Sequence, residues 1–361
     1  MMDSTLFRRI DWQLAIPVGV LSVISLTTLF SINVGFFRSQ LIFTFISIIF
    51  FLFFSHADLK LFRFLELPIY GIACLSLLFL LFLGFETRGA VRWIDIGGFR
   101  IQFSEIFKPF LLIILASFLS QKNSISFGTL VKTFAFLLPV VFLIFRQPDL
   151  GSAMIYMLTV VTTLIIYGFP LWWFGVGVVV IMGSIPLVWQ FLHEYQRQRV
   201  LTFLRLTHDP LGTSYNAIQA VIAVGSGMFF GKGLGEGTQS ALRFLPEKQT
   251  DFIFATLSED LGFIGGVIVI IAFVFLLYRF YSIFTLVDDA FEKVFVAGAF
   301  SLILVQVFIN IGMNIGLLPI VGVTLPFVSY GGSSLVSNAI LLGMVSGIGS
   351  MVRKKHVLEI R

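Results

Sequence analysis

Apolar segments of about 20 residues recur along this chain, and they restrict what it can fold into. Of the 361 residues, 58% are hydrophobic and only 12% are charged. A helix of that length matches the ~30 Å hydrocarbon layer of a bilayer, where every span must satisfy its own backbone hydrogen bonds. The sequence therefore predicts an all-α polytopic membrane protein that forms a single unit over residues 1–361.

We count about ten spans by length and apolarity. An even number of spans places both termini on one side of the membrane, and cations near the termini and in short loops indicate that this side is cytoplasmic. The first apolar run is too long for a removable signal, so we expect it to remain as an anchor. The predicted spans are 12–31, 38–54, 67–84, 105–121, 129–145, 151–168, 171–192, 254–278, 293–316 and 330–352.

The predicted outer side also carries cations, which the charge rule for short loops does not favour. They anchor the protein to lipid headgroups, or they belong to a site for an anionic substrate, and both interpretations stay open. The residues concerned are Arg88, Arg92, Arg100 and Arg146.

The segment from Tyr195 to Phe263 is the only long part of the chain that is not continuously apolar, and we expect residues 193–253 to form one large outer loop. A polar loop of this length in a membrane protein is seldom a simple connector. Its clustered glycines do not form a P-loop, because Ser226 replaces the first glycine and Gly233 follows Lys232. They permit tight turns or a close approach to a ligand.

Several other classes of protein are disfavoured. The single cysteine, Cys74, excludes an internal disulfide and makes a cysteine-based metal site improbable. No His/Cys cluster, HExxH motif or Ser-His-Asp arrangement is present. No basic patch interleaved with aromatic residues lies outside the spans, so nucleic acid is not expected as a partner.

Asp251 is the sharpest catalytic candidate, in the run LPEKQTDF where the eighth span begins. A partly desolvated carboxylate at that boundary is a better general base. The competing interpretation is structural, because Thr250 and Asp251 directly precede an apolar helix that an aspartate could cap.

Polar residues next to other spans carry similar pairs of interpretations. Glu105 and Lys108 form an intrahelical ion pair or, as we favour, a functional pair at the membrane edge. Trp93 is an interfacial residue or the wall of a substrate groove.

Four further residues are interpreted mainly as caps. We expect Ser104 to cap the fourth span and Asp149 to cap the sixth. Ser333 and Ser334 open the last span, as a capped turn or as a phosphate site.

The motifs YQRQR, DPLG, GSG, GKG, GTQS, LPEKQTDFIFA and EDLG resemble those of the RodA/FtsW (SEDS) family of membrane glycosyltransferases, closest to its RodA branch. RWIDIG, QPDLG and the final SYGGSS turn extend the resemblance over nearly the whole chain. The resemblance implies a multi-pass protein of the bacterial inner membrane that takes part in cell-wall synthesis, cell shape and cell division.

The activity implied by the resemblance is polymerisation of lipid II into β-1,4 glycan chains, with release of undecaprenyl diphosphate. Asp251 then corresponds to the family's essential aspartate. No cofactor is firmly implied, and a divalent cation such as Mg²⁺ stays open. The candidate substrate-binding residues are Trp93, Glu105, Lys108, Arg197, Arg199, Gln219, Ser226, Lys232, Arg243, Glu247, Lys248 and Thr250.

The implied partners are lipid II, the growing glycan chain, membrane lipids, a class B penicillin-binding protein and other membrane proteins of the elongation complex. We expect Gly262 and Gly266, a G-x-x-x-G pair, to offer a surface for such a partner or to pack within this chain's own helix bundle.

The sequence departs from the family pattern at Gln249, where a histidine is usual, and at Ala220–Val221, where Ser-Lys is frequent. The rival functions are a lipid II flippase and a non-catalytic scaffold.

Overall fold

The computed structural model describes residues 10–83, 85–87, 90–96, 99–121, 125–192, 197, 201, 213–242 and 244–359. In these parts of the chain the fold is almost entirely helical. The helices are α1 Trp12–Ile32, α2 Val34–His56, α3 Leu59–Arg63, α4 Glu66–Leu83, α5 Phe103–Ile106, α6 Lys108–Ser120, α7 Phe127–Arg146, α8 Leu150–Tyr167, α9 Leu171–Phe191, α10 Thr213–Ser226, α11 Thr238–Ala241, α12 Ile253–Leu286, α13 Ala290–Asn314 and α14 Gly332–Glu359.

Each of the ten predicted spans overlaps one apolar helix, and the fourth starts at Lys108, after the separate short helix α5. Seven of these helices are long and apolar enough to cross a membrane, and α4, α6 and α9 contain the three shorter apolar stretches. The main differences lie at the ends, where α12 continues to Leu286 and α14 to Glu359. The prediction of a multi-pass, all-α membrane fold is therefore confirmed.

Side-chain caps fix several of these helix ends. Asp11 Oδ1 accepts a hydrogen bond from the backbone N–H of Gln13 and starts α1. Asn33 ends α1 and begins α2, where its Oδ1 accepts from the N–H of Gly35. Asp149 caps α8 by accepting from the N–H of Ser152, as the sequence predicted.

The centre of the bundle is formed by α13 and α14. In their most apolar stretches 72% and 83% of residues are buried, against 11% for α2, which faces outward on one side. Helix α13 packs against α6, α8 and α12, while α14 lies along α2. The two central helices therefore contact spans from both halves of the chain.

A small antiparallel sheet follows α4 in the loop that the sequence left without secondary structure. Its strands are β1 Phe85–Thr87, β2 Ala90–Ile96 and β3 Phe99–Ile101, in the order β1-β2-β3. Trp93 pairs with Phe85, and Ile94 pairs with Ile101. The strands carry the chain directly into α5.

Two contacts between α1 and α12 mark the ends of the bundle. Asp11 Oδ2 accepts from Arg279 Nη2 at 2.6 Å, and Ser31 Oγ donates to Asp260 Oδ2 at 2.9 Å. About 20 helical residues separate the two contacts, or ~30 Å, which matches the hydrocarbon thickness. Because Asp251 precedes Asp260, it lies at the end of the bundle opposite to Arg279.

Candidate active site

Residues 249–251 are held through their backbone carbonyls by two other parts of the chain, the 329–330 turn and helix α13. The carbonyl of Gln249 accepts from the N–H of Tyr330 at 2.8 Å, and that of Thr250 accepts from Ser329 Oγ at 2.7 Å. The carbonyl of Asp251 accepts from the side-chain amides of Asn310 and Asn314, at 3.1 and 3.0 Å. A segment fixed at successive carbonyls holds its side chains in a constant orientation.

Asp251 itself does not serve as the cap of α12. The cap position is Phe252, which makes no side-chain capping bond, and α12 starts at Ile253. The half-buried carboxylate of Asp251 points instead towards Gly322, where an added Cβ would lie 3.4 Å from Oδ2. The interpretation of Asp251 as the N-cap of α12 is therefore wrong, because the cap position belongs to Phe252.

The side chains next to Asp251 form a small polar group around Glu247. Its Oε2 accepts hydrogen bonds from Gln249 Nε2 at 3.4 Å and from Thr250 Oγ1 at 3.3 Å. Glu247 has a φ of +50°, a strained region for a residue with a side chain, and the hydrogen bonds of the turn hold it there. Lys248 Nζ donates to the carbonyl of Ser240.

The glycine-rich segment between α10 and α12 is organised by Glu259, a fully buried carboxylate. Its two oxygens accept from the backbone N–H groups of Gln239 and Ser240, at 2.9 and 3.0 Å. Lys232 Nζ lies 3.3 Å from Oε1, and Ser226 Oγ lies 3.4 Å from the same atom. The structure thus brings Ser226 and Lys232 together, with Glu259 between them.

Helix α12 is broken at Gly262, which has φ +70° and ψ −166°. The backbone groups that the break frees pair with the glycine-rich segment. The N–H of Phe263 donates to the carbonyl of Met228 at 2.7 Å, and the N–H of Lys232 donates to the carbonyl of Glu259 at 3.0 Å. Inside a membrane such replacement partners are what make a helix break tolerable.

The contact between the break at Gly262 and the glycine-rich segment leaves no room for side chains. It therefore changes the role expected for the G-x-x-x-G pair. A Cβ at Gly262 would lie 2.2 Å from the backbone nitrogen of Gly231, and one at Gly231 would lie 2.1 Å from the carbonyl oxygen of Asp260. Gly262 and Gly266 are both buried within this chain. The prediction that they present a surface to a partner protein is therefore wrong, and internal packing explains them.

Glu105 and Lys108 form an ion pair that is almost completely removed from water. Lys108 Nζ lies 2.5 Å from Glu105 Oε1, and the two residues are 2% and 7% exposed, lysine first. Glu105 Oε2 is buried without a hydrogen-bond partner among the described residues. An ion pair in such surroundings is costly to build. It joins α5 to the start of α6 rather than lying within one helix, so the simple intrahelical interpretation does not apply.

A polar network beside this pair connects the β1–β3 sheet to the bundle. Asp149 is 2% exposed, with Arg92 Nη1 at 3.5 Å from Oδ1 and Gln102 Nε2 at 2.9 Å from Oδ2. Ser104 does not cap a span, contrary to the prediction. It lies within α5, and its Oγ accepts from Gln102 Nε2, because the chain enters α6 through Lys108–Pro109 after a separate short helix.

The final turn is closed by hydrogen bonds between its own serines and the rest of the chain. Ser333 Oγ accepts from the N–H of Gln102 at 3.0 Å, and Ser334 Oγ lies 3.0 Å from Thr324 Oγ1. Both serines belong to the first turn of α14 and are buried. Both hydroxyls are thus engaged by distant parts of the chain, the backbone of Gln102 and the side chain of Thr324.

The remaining candidate residues are spread over several elements. Arg197 donates to the backbone carbonyls of Trp189 and Gln190 at the end of α9, at 3.0 and 3.1 Å. Gln219 lies on α10 and Trp93 on β2, and both are half-buried. Arg199 and Arg243 lie outside the described residues. Within the described residues, no group of three or more His, Cys, Asp and Glu side chains could hold a metal ion.

Comparison with known proteins decides the family. A family profile described as "Cell cycle protein", covering FtsW, RodA and SpoVE, matches residues 7–354. This chain belongs to the FtsW/RodA/SpoVE family. Peptidoglycan glycosyltransferase MrdB of Escherichia coli is 41% identical over 270 residues, 73% of this chain and 72% of MrdB. Stage V sporulation protein E of Bacillus subtilis is 35% identical over 352 residues, 94% and 95% of the two chains.

Solved structures of FtsW/RodA/SpoVE proteins share the fold. A chain from the structure described as "Structural coordination of polymerization and crosslinking by a peptidoglycan synthase complex" superposes with a TM-score of 0.82 at 27% identity, over 95% of this chain and 98% of that chain. The rod shape determining protein RodA of Thermus thermophilus gives a TM-score of 0.71 at 24% identity, over 94% and 96%. The predicted family is thus confirmed.

The sequence analysis missed several residues that shape this FtsW/RodA/SpoVE site. Glu259 and Asp260 were noted only as part of the EDLG motif, although adjacent carboxylates within an apolar helix are a signal of function or of a buried polar network. Asn310 and Asn314 stand four residues apart in another apolar helix and give the same kind of signal. The sequence analysis named Gln249 but not its contact, in which its backbone carbonyl accepts from the N–H of Tyr330.

Proposed function

We propose that this protein is a peptidoglycan glycosyltransferase that polymerises lipid II into β-1,4 glycan chains and releases undecaprenyl diphosphate. The observation that carries the proposal is Asp251, a half-buried carboxylate fixed by its backbone at one end of the membrane bundle. Relatives named peptidoglycan glycosyltransferase, at up to 41% identity among those compared, support the same activity.

Asp251 is the general base of the proposed reaction. It removes the proton from the acceptor sugar's hydroxyl while that oxygen attacks the anomeric carbon of the donor. The bond to the α-linked diphosphate breaks on the opposite face, so a single displacement inverts the centre to a β-linkage. The diphosphate departs as a stable anion and needs no general acid, and no second carboxylate is required as a nucleophile.

Cations stabilise the charge that develops on the departing diphosphate. We propose Arg197, Arg199 and Lys108 for this role, with Lys232 and Arg243 as further candidates. Lys108 is held by Glu105, and Arg197 by the carbonyls at the end of α9, so both are oriented by the protein before substrate binds. The other candidate residues, from Trp93 on the sheet to Thr250 beside the base, would line the sugar-binding surface.

Replacing Arg199 with alanine is expected to lower turnover of lipid II about 10- to 100-fold, because a hydrogen bond to a charged group contributes ~1.5–3 kcal/mol. Rates of glycan formation at fixed lipid II measure the effect. Arg38→Ala is the matched control, since Arg38 is an exposed arginine on α2 outside the candidate set. A wild-type rate and affinity in Arg199→Ala would remove Arg199 from the diphosphate site.

The proposed cellular role is wall elongation and shape maintenance in the bacterial inner membrane, together with a class B penicillin-binding protein. The superposable chain from a peptidoglycan synthase complex supports such an assembly. The contact does not use Gly262 and Gly266, which are covered within the chain. The protein then acts as one membrane-embedded unit, and residues 193–253 form its outer loop.

Both termini are proposed to be cytoplasmic, with Asp251 outside. The structure supports placing the N-terminus and Asp251 on opposite sides, because Asp11 and Arg279 pair at the end of the bundle opposite to Asp251. A fluorescent reporter fused after Arg361 should be active in the cytoplasm. Alkaline phosphatase inserted between residues 206 and 207 should be active outside, whereas an insertion at Gly237 would disturb its contact with Glu259. The reverse pattern would contradict the orientation.

A lipid II flippase is the rival that shares these residues. Liposomes that contain the purified protein and labelled lipid II in one leaflet separate the two functions. A polymerase forms glycan on the side where Asp251 is exposed and leaves the leaflet distribution unchanged. Movement of label to the other leaflet without any glycan product would favour the flippase.

A further inference from the structure

Two asparagines on α13 lie directly behind the segment that carries Asp251. Asn310 and Asn314 are one helical turn apart, and both are fully buried. Their Nδ2 atoms donate to one and the same acceptor, the backbone carbonyl of Asp251, at 3.1 and 3.0 Å. Because both donors are neutral amides, they fix this carbonyl without placing a charge beside the carboxylate.

Asn314 also joins Asp251 to the start of α12. Its Oδ1 accepts from the N–H of Ala255 at 3.2 Å. That N–H belongs to the first turn of the helix, where backbone donors lack an intrahelical partner, and Phe252 provides no side-chain cap. Asn314 therefore takes over a capping function from outside α12 and fixes the direction in which the chain leaves Asp251.

Asn310 joins Asp251 to the wall that its carboxylate faces. The same Nδ2 donates to the carbonyl of Val323 at 2.6 Å. Val323 follows Gly322, where a Cβ would lie 3.4 Å from Asp251 Oδ2. Gly322 has a φ of +74°, so its backbone is held in a conformation that suits glycine. The side-chain amide of Asn310 thus fixes both the backbone of Asp251 and the Gly322–Val323 segment that the carboxylate faces.

We propose that Asn310 and Asn314 are positioning residues for the Asp251 base, an assignment that rests on the proposed function. They act on the position of the carboxylate through its own backbone and through the Gly322 wall. A displacement of ~1 Å at a reacting group can cost ~10²-fold in rate. Loss of either amide should therefore lower kcat, while binding of lipid II, which uses other side chains, is retained.

The test compares Asn310→Leu and Asn314→Leu with Gln306→Leu. Gln306 lies one turn earlier on the same helix and is also fully buried, but among the described residues neither of its amide atoms has a hydrogen-bond partner. Gln306→Leu thus controls for the exchange of a buried amide by leucine on α13. Asn310→Ser and Asn314→Ser are measured in parallel, because a small hydroxyl cannot prevent folding by its size and is too short to restore the original bond.

We expect the asparagine variants to lose ~10- to 100-fold in kcat with lipid II affinity within about twofold of wild type. Gln306→Leu should keep the kcat and the lipid II affinity of the wild type. Wild-type kcat in the folded asparagine variants, with Asp251→Asn inactive, would overturn the positioning role and leave the proposed function intact. An equal loss in Gln306→Leu would overturn it as well, because the effect would then be general to α13. An active Asp251→Asn would refute the base itself.

Discussion

Replacing Asp251 with asparagine is expected to lower polymerisation of lipid II by ~10²–10⁴-fold, which is the usual contribution of a positioned general base. Asparagine has nearly the same size and still forms hydrogen bonds, but it cannot take the proton of the acceptor hydroxyl. The carbonyl that Asn310 and Asn314 hold is part of the backbone and is unchanged by the substitution. Folding and lipid II binding should therefore survive.

The measurement is the rate of glycan formation by purified protein, together with lipid II binding and the unfolding temperature in the same detergent. Asp288→Asn serves as the control, because Asp288 is an exposed aspartate between α12 and α13 at the other end of the bundle. A near-native rate in Asp251→Asn, in a sample that binds lipid II normally, would leave Asp251 without a catalytic role.

The second large effect concerns stability. Lys108→Met is expected to destabilise the protein by ~3–5 kcal/mol, because it leaves the buried carboxylate of Glu105 without its cation. Methionine matches the length of the lysine stem, so packing against the bundle is largely kept. The midpoint of unfolding in mixed micelles measures the change.

The double variant Glu105→Gln/Lys108→Met isolates the charge effect. With both charges removed, most of the stability should return, since replacement of a buried ion pair by uncharged groups is often close to neutral. Equal stability of wild type and Lys108→Met would show that the pair is not desolvated as the geometry indicates. A stable but inactive Lys108→Met would assign Lys108 to substrate binding alone.

Those features of the fold that depend on local sequence were predictable. About ten spans follow from apolar runs that can satisfy their backbone in a bilayer only as helices. The capping role of Asp149 was predictable, because its side chain accepts from the N–H of Ser152, only three residues further on. Ser104 was assigned wrongly by the same local rule, since nothing in the sequence showed that the short helix α5 starts before α6.

Contacts between distant parts of the chain were not predictable. The carbonyl of Gln249 meets the N–H of Tyr330 about 80 residues further on, and the amides of α13 reach back about 60 residues to Asp251. Hydrophobic periodicity carries no information on such pairings. The partner of Gly262 was missed for the same reason, because its neighbour is the glycine-rich segment about 30 residues earlier.

The central claim is tested most directly by incubating the purified protein in detergent with lipid II alone and separating the products by size. No bilayer is present to be crossed, and no partner's glycosyltransferase is present to supply the activity. The account predicts a ladder of β-1,4 glycan chains with stoichiometric undecaprenyl diphosphate from the wild type, and almost none from Asp251→Asn. Unchanged lipid II in the presence of folded, lipid II-binding wild-type protein would contradict it.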